Sequence, residues 1–248
     1  MEPALTTESL TQELAATHRV ILLGGLAVIS HGLERMTYDA DVWLDPMLES
    51  TQWSEAVGQV LASHPGLKII EIGTWSQIGI HQLPEVIERD GVIRVMGAVH
   101  PLDLFRRPNE FEIEEFNEVW DRGMPLEDGT RLPDAIDLLV TKQRTGRQKD
   151  QTDILFLELK IEGQYLEELP NAEEARAEEM LGRFLTPNVA RAALTHPSFA
   201  IRKLGYAYLQ ELASEGDPYA AEYLREEPAP YETPRHAAAD DSARATAS

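Results

Sequence analysis

The chain has 248 residues, with 22 Lys and Arg against 43 Asp and Glu, a formal net charge of -21 at pH 7. Its 43% hydrophobic content is enough to bury a core, which excludes a wholly disordered polymer, and the acidic balance excludes non-specific duplex binding through a basic surface. The absence of cysteine excludes disulfide frameworks, thiolate zinc sites and thiol nucleophiles.

Residues 4–16 are expected to form a short amphipathic helix capped by Thr7, with Leu10 and Leu14 on one side. Arg19 to Leu23 is β-branched and apolar and predicts a buried strand. Gly24-Gly25 breaks it, and Leu26 to His31 reads as a helix ended by Gly32. From Thr37 to Leu44 the pattern has period two, placing Tyr38, Ala40, Val42 and Leu44 on one face and Asp39, Asp41 and Trp43 on the other. A helix follows from Leu48 to Ala62, with Trp53, Val57, Val60 and Leu61 inward. Between Leu67 and Phe105 come the strand-like runs KIIEI, SQIGIHQL, GVIRVM and AVHPLDLF, with Asp90-Gly91 as a hairpin signal. Further helices are expected over residues 110–120, after Asp134 as far as Thr145, and over 149–160, the last with Ile154, Phe156, Leu157 and Ile161 as its apolar members.

This alternation predicts an α+β (α/β) domain over residues 1–170, a small mixed sheet flanked by helices. After Pro170 the composition turns to Ala, Glu, Leu and Arg, predicting an all-helical region over 171–226 that is similar to one or two HEAT-like repeat units. Residues 227–248, rich in Pro, Ala and charge, are expected to be a disordered tail. Residues 1–170 hold 30 acidic and 14 basic groups and the remainder 13 and 8, so neither part is a basic domain. The longest apolar run, Val20 to Ile29, is about half a bilayer span, and the first residues carry Glu2, Glu8 and Glu13 where a secretory signal would be basic. The expectation is a soluble, cytoplasmic protein without a membrane partner.

Three features of the first region carry chemistry. Gly24-Gly25 directly after a buried strand lets the backbone approach a phosphate closely; the plain alternative is a tight turn. In Arg35-x-Thr37-x-Asp39-x-Asp41, carboxylates two residues apart on a strand project from one face, roughly 7 Å apart, and repel unless a divalent cation lies beside them. Hard oxygen donors of this kind suit magnesium, which completes its shell with water and substrate phosphates; the alternative is a half-solvated polar face. The third feature is basic: Lys142, Arg144, Arg147 and Lys149 fall within eight residues and are followed by Asp150 and Asp153. Such a patch suits a triphosphate, against the alternative of a surface Lys149–Asp153 pair at i, i+4. His31 and His100 lie near these motifs and read as packed residues, and Arg106-Arg107 offers a second local basic spot.

Together these features resemble the DNA polymerase beta-like nucleotidyltransferase superfamily, and more narrowly its AbiEii-type members from bacterial toxin–antitoxin and phage-defence systems. The resemblance spans residues 18–160 and rests on Gly24, Gly25, Arg35, Thr37, Asp39 and Asp41, then on the block Lys142, Arg147, Lys149, Asp150 and Asp153. The chain departs from it in having Gly25 where many members carry serine. It also has Pro101 ahead of Asp103, which is expected to bend that strand or set it at an edge. The resemblance implies magnesium-dependent transfer of a nucleoside monophosphate from a nucleoside triphosphate to an acceptor hydroxyl on a tRNA, a protein or a small molecule. It further implies one or two magnesium ions at Asp39, Asp41 and Asp103, with Asp103 also placed to take the acceptor's proton. Gly24, Gly25, Arg35, Thr37, Lys142, Arg147 and Lys149 would hold the triphosphate, with Asp150 orienting Lys142 or acting as a base. An antitoxin partner belongs to the same expectation. The rival expectation is a catalytically inactive nucleotide-binding or protein-interaction module whose working surface is the helical region.

Overall fold

An eight-stranded mixed sheet organises the first 161 residues of the computed structural model, which describes residues 4–46, 49–108, 111–227 and 229–230. The chain enters through α1 (Thr7–Ala15). Its cap is Thr6, whose hydroxyl accepts from the Ser9 N–H at 3.2 Å; Thr7, the expected cap, is instead buried in the first turn. Next come β1 (Val20–Leu23), α2 (Gly24–Ser30), β2 (Ala40–Leu44), α3 (Ser50–Ala62), β3 (Lys68–Glu71) and β4 (Ser76–Ile78). They are followed by α4 (Leu83–Asp90), β5 (Val92–Met96), β6 (Leu102–Phe105), α5 (Phe116–Arg122), the two-residue strands β7 (Met124–Pro125) and β8 (Arg131–Leu132), α6 (Ala135–Thr145) and α7 (Gln151–Glu168).

The strand order is β4-β3-β5-β6-β2-β1-β8-β7. β6 runs parallel to β2 and β8 parallel to β1, and the other neighbours are antiparallel. The pleat sorts side chains onto two faces. Val20, Ala40, Val42, Leu44, Ile93, Val95, Leu102 and Leu104 join the larger core with Leu10, Leu14, Trp53 and Val57 from α1 and α3. Ile21, Leu23 and Trp43 point the other way and pack with Phe111, Phe116 and Val119. Trp43 stacks on Phe111 at 5.3 Å, meets Phe116 edge-on at 5.0 Å, and donates its indole N–H to the Arg106 carbonyl at 3.0 Å.

Several local expectations are corrected. The strand expected from Thr37 begins only at Ala40, so Tyr38 is exposed and Asp39 sits just ahead of the strand; the alternation beyond it holds. Asp90-Gly91 ends a helix rather than turning a hairpin. Gly91 is the left-handed cap of α4 at φ +71°, where a Cβ would lie 3.0 Å from the Arg107 carbonyl oxygen. Pro101 neither bends β6 nor sets it at an edge. It precedes the strand, its carbonyl accepts from Ala40 N–H at 3.0 Å, and β6 lies in the middle of the sheet. The helix expected over 110–120 is a 3-10 turn (Ile113–Glu115) leading into α5, and the one expected over 149–160 is a 3-10 turn (Gln148–Asp150) leading into α7, which continues to Glu168. Leu48 and Glu110, the expected starts of two helices, lie outside the described residues.

A second unit begins at Glu162. It contains α8 (Glu174–Arg183), α9 (Pro187–Ala193), α10 (Phe199–Ser214) and α11 (Pro218–Glu226), with no strand among the described residues. Thr186 caps α9 and Asp217 caps α11 through their side-chain oxygens, and Ala190, Leu209 and Ala220 form a common core. Of the expected tail, residues 228 and 231–248 lie outside the described residues. No described helix is long and apolar enough to cross a membrane.

Because Leu104 is fully buried in the central strand β6, Leu104→Ala is expected to lower unfolding free energy by about 2–5 kcal/mol. Urea denaturation followed by far-UV circular dichroism measures it; a loss below 1 kcal/mol would show that the site can collapse around the smaller residue.

Candidate functional site

The pleat also sets a polar row across the smaller-core face. Leu23 pairs in register with Asp41, Asp41 with Asp103, and Asp103 with Arg94, so the row runs across β1, β2, β6 and β5. Adjacent in-register residues on one face stand about 5 Å apart, which brings two carboxylates and a guanidinium from distant parts of the chain together.

This row floors a cavity of about 500 Å³. Each of the expected site residues lines it: Gly24 and Gly25 from the start of α2, Arg35, Thr37 and Asp39 from the approach to β2, and Asp41 and Asp103 from the row. Lys142 of α6 and Arg147, Lys149 and Asp150 from the segment after it complete the set.

The chain turns sharply where β1 meets α2. Gly24 has φ +60°, and a Cβ there would fall 1.7 Å from Asp41 Oδ2, so the carboxylate occupies the space a side chain would need. A Cβ on Gly25 would lie 2.6 Å from both Arg35 Nη2 and Thr37 Oγ1. The two glycines are thus required by close approach to the Arg35–Asp41 segment itself. The Thr37 hydroxyl donates to Asp39 Oδ1 at 3.1 Å and orients that carboxylate.

On the basic side, Lys142 is 7% exposed and its Nζ lies 3.2 Å from Asp150 Oδ1 and 3.0 Å from Asp153 Oδ2. Asp153, 1% exposed, also accepts from Arg35 Nη2 at 3.0 Å. The Lys149–Asp153 surface pair is therefore not what forms: Asp153 is a buried bridge between Arg35 and Lys142, linking the segment before β2 to α6 and α7. Asp150, itself buried, accepts from Lys142 Nζ.

The carboxylates differ in their surroundings. Burial pushes the Asp41 carboxyl up to about 6, with the negative charges of Asp103 and then Asp39 adding to it and Lys142 and Arg94 opposing. Asp103 has both oxygens engaged: Arg94 Nε donates to one at 2.6 Å and Nη2 to the other at 2.7 Å, and this pairing raises the guanidinium pKa further. Among the described residues no group of three or more His, Cys, Asp or Glu is placed to hold a metal ion. Asp39 and Asp41 lie beside the Asp103–Arg94 pair in the lining of the same cavity.

Arg94 was hidden inside a run that reads simply as strand, and its role becomes visible only with the register. The cavity is also lined by Trp75, an exposed tryptophan beside Arg94. His31 donates from Nε2 to the Pro133 carbonyl at 2.9 Å, and burial pushes its pKa down, in keeping with a packed role. Arg106 pairs with Glu88 at 3.1 Å. No known family model matches the chain, and no curated protein matches it.

The raised Asp41 pKa has a stability consequence. The unfolded chain ionises this carboxyl near 3.8 and the folded chain near 6, so its ionisation opposes folding increasingly as pH rises from about 4 to 6, and the penalty is complete above that range. Asp41→Asn is expected to stabilise the chain by about 1–3 kcal/mol at pH 8 without divalent cations, with the gain vanishing by about pH 4. Thermal or urea unfolding across this range reads the effect; a pH-independent difference would show that Asp41 carries no such shift.

Proposed function

We propose that the chain is a nucleotidyltransferase that moves a nucleoside monophosphate from a nucleoside triphosphate to an acceptor hydroxyl, in keeping with its resemblance to the DNA polymerase beta-like superfamily. The observation that carries the reading is the convergence, on one cavity, of an acidic pair and a basic cluster separated by about a hundred residues of chain. An acidic pair alone suits a cation and a basic cluster alone suits an anion. Both signs around one cavity suit a ligand that brings polyphosphate together with a divalent cation.

Magnesium fits the donor set: two carboxylates, one with a pKa raised by burial and further by neighbouring negative charges, leave the remaining positions to water and phosphate oxygens. Asp39 and Asp41 would hold the ion, which when bound offsets phosphate charge and polarises phosphoryl oxygens. Asp103 enters as the anchor of Arg94 rather than as a third ligand, because both its oxygens are engaged.

The remaining roles belong to the chain's own groups. Gly24 and Gly25 keep the space beside Asp41 and Thr37 free of side chains. Lys142, held by Asp150 and Asp153, supplies a fixed positive charge at the cavity wall, and Arg147 and Lys149 add to it. In the transfer, the acceptor oxygen forms a bond to the α-phosphorus while the bond from that phosphorus to the α–β bridging oxygen breaks. The acceptor's proton passes to solvent or a nearby carboxylate, and pyrophosphate departs. Charge building on that leaving group is what Lys142, Arg147 and Lys149 would stabilise.

Incubating the full chain with each labelled triphosphate, magnesium and candidate acceptors should release pyrophosphate. Asp39→Ala and Asp41→Ala should each lower release by about 100-fold or more, and Lys142→Ala by a comparable factor. In parallel, magnesium with a non-hydrolysable triphosphate should raise the Tm of the wild type but not of Asp41→Ala. Binding without release for every triphosphate and acceptor would replace the enzyme reading with an inactive nucleotide-binding module; neither binding nor release would remove both.

A further inference from the structure

Trp75 lines the cavity yet has no part in the transfer chemistry. It is the last residue of the loop joining β3 to β4, closed by the Glu71–Ser76 pair. The Glu71 carboxylate accepts from the Thr74 hydroxyl at 2.8 Å and pairs with Arg89, so the loop is tied down at its base. Among the described residues Trp75 is the one non-glycine with positive φ, at +56°. Glycine or asparagine would make this turn at lower cost, and a bulky residue held left-handed on a cavity wall is the pattern expected where the side chain itself is used.

The ring is 65% exposed although it is the largest apolar side chain available. Beside it, the Arg94 guanidinium carbon lies 5.4 Å from the ring centroid, and that guanidinium is fixed by its two bonds to Asp103. Ile72 and Val92 line the same cavity, giving this end an apolar flank, whereas Gly24 and Gly25 follow β1 on the far side of β2, and the Arg35–Asp153–Lys142 bridge places Lys142 with them. Three interstrand steps, roughly 14 Å at the usual spacing, separate β2, which carries Asp41, from β3, where the loop begins. A ligand matching both ends has a polyanionic part and, a sugar's length or more away, a flat aromatic part.

We propose that Trp75 is a stacking platform for a nucleobase, braced by the Arg94–Asp103 pair. The inference rests on the nucleotidyl-transfer reading and adds to it the residue that receives a base. Stacking on an indole face accepts every base and favours the larger purines, so the platform supplies affinity with mild selectivity rather than a strict code. The stacked base belongs either to the triphosphate or to the end of a nucleotide-bearing acceptor.

The test compares the wild type with Trp75→Gly, which the left-handed backbone accepts without strain, and with Trp75→Phe, which keeps a smaller ring. Affinities are measured with magnesium for ATP, GTP, CTP and UTP, for inorganic tripolyphosphate, and for a single-stranded RNA trinucleotide. The expected result is a loss of about ten-fold or more for Trp75→Gly on a base-bearing ligand, largely restored by phenylalanine, with tripolyphosphate within two-fold of wild type. Loss confined to the triphosphates places the donor's base on Trp75, and loss confined to the trinucleotide places the acceptor's base there. An equal loss for tripolyphosphate would overturn the proposal by showing that Trp75 only steadies Arg94. Unchanged affinity for all ligands, or no binding by the wild type, would overturn it as well. Base-dependent losses without pyrophosphate release would sink the transfer reading and leave the platform standing, whereas release unaffected by Trp75→Gly, with affinities unchanged, would do the reverse.

Discussion

The cavity of the first unit depends on one register constraint: Asp103 of β6 stands opposite Asp41 of β2 on one side and opposite Arg94 of β5 on the other. The opposite face of those strands is filled by Val42, Leu104, Ile93 and Val95, all fully buried. A slip of one residue in any pair would drive a charged side chain into that core and a large aliphatic one into the cavity. The hydrophobic packing therefore specifies the polar row. The cost of placing carboxylates side by side is met by a guanidinium at one end of the row and Lys142 nearby.

Paired ions in this region offset one another in a chain. Arg35 meets Asp153, Asp153 meets Lys142, and Lys142 meets Asp150. Buried ion pairs of this kind add little net stability, because desolvation consumes most of the attraction, but losing one partner strands the others. Their value here is positional. The two acids, Asp150 and Asp153, fix the Lys142 ammonium at the cavity wall.

Much of this was legible in the residues. Gly24-Gly25, the Arg35-to-Asp41 spacing and the Lys142-to-Asp150 block were each recognisable by type and interval, and all of them reach the cavity. The period-two pattern over Ala40–Leu44 sorted that strand's faces correctly because one face is apolar without exception. What stayed hidden depended on pairing between segments. Arg94 sits in GVIRVM as an ordinary outward strand position until β6 is laid beside it, and nothing in HPLDLF announces that Asp103 accepts from Arg94 with both oxygens. Asp90-Gly91 was misread because a left-handed glycine serves a helix end as well as a hairpin, and the helix before it opens with Leu83-Pro84 inside a strand-like stretch. Pro101 misled for a similar reason: its missing N–H matters only within a strand, and β6 starts one residue later.

The buried bridge at Asp153 has a consequence for how the molecule comes into being. The walls are drawn from Gly24 near the start and from Asp150 far along the chain, and the lysine among them is steadied by a residue that lies later still. During synthesis at the ribosome the glycine turn, the acidic pair and Arg94 emerge long before Lys142, so until α6 appears the carboxylates have only part of the positive charge that offsets them in the folded chain. The finished cavity exists only after α7 has begun to emerge, which makes the birth of the site a late event that follows even the last strand of the sheet.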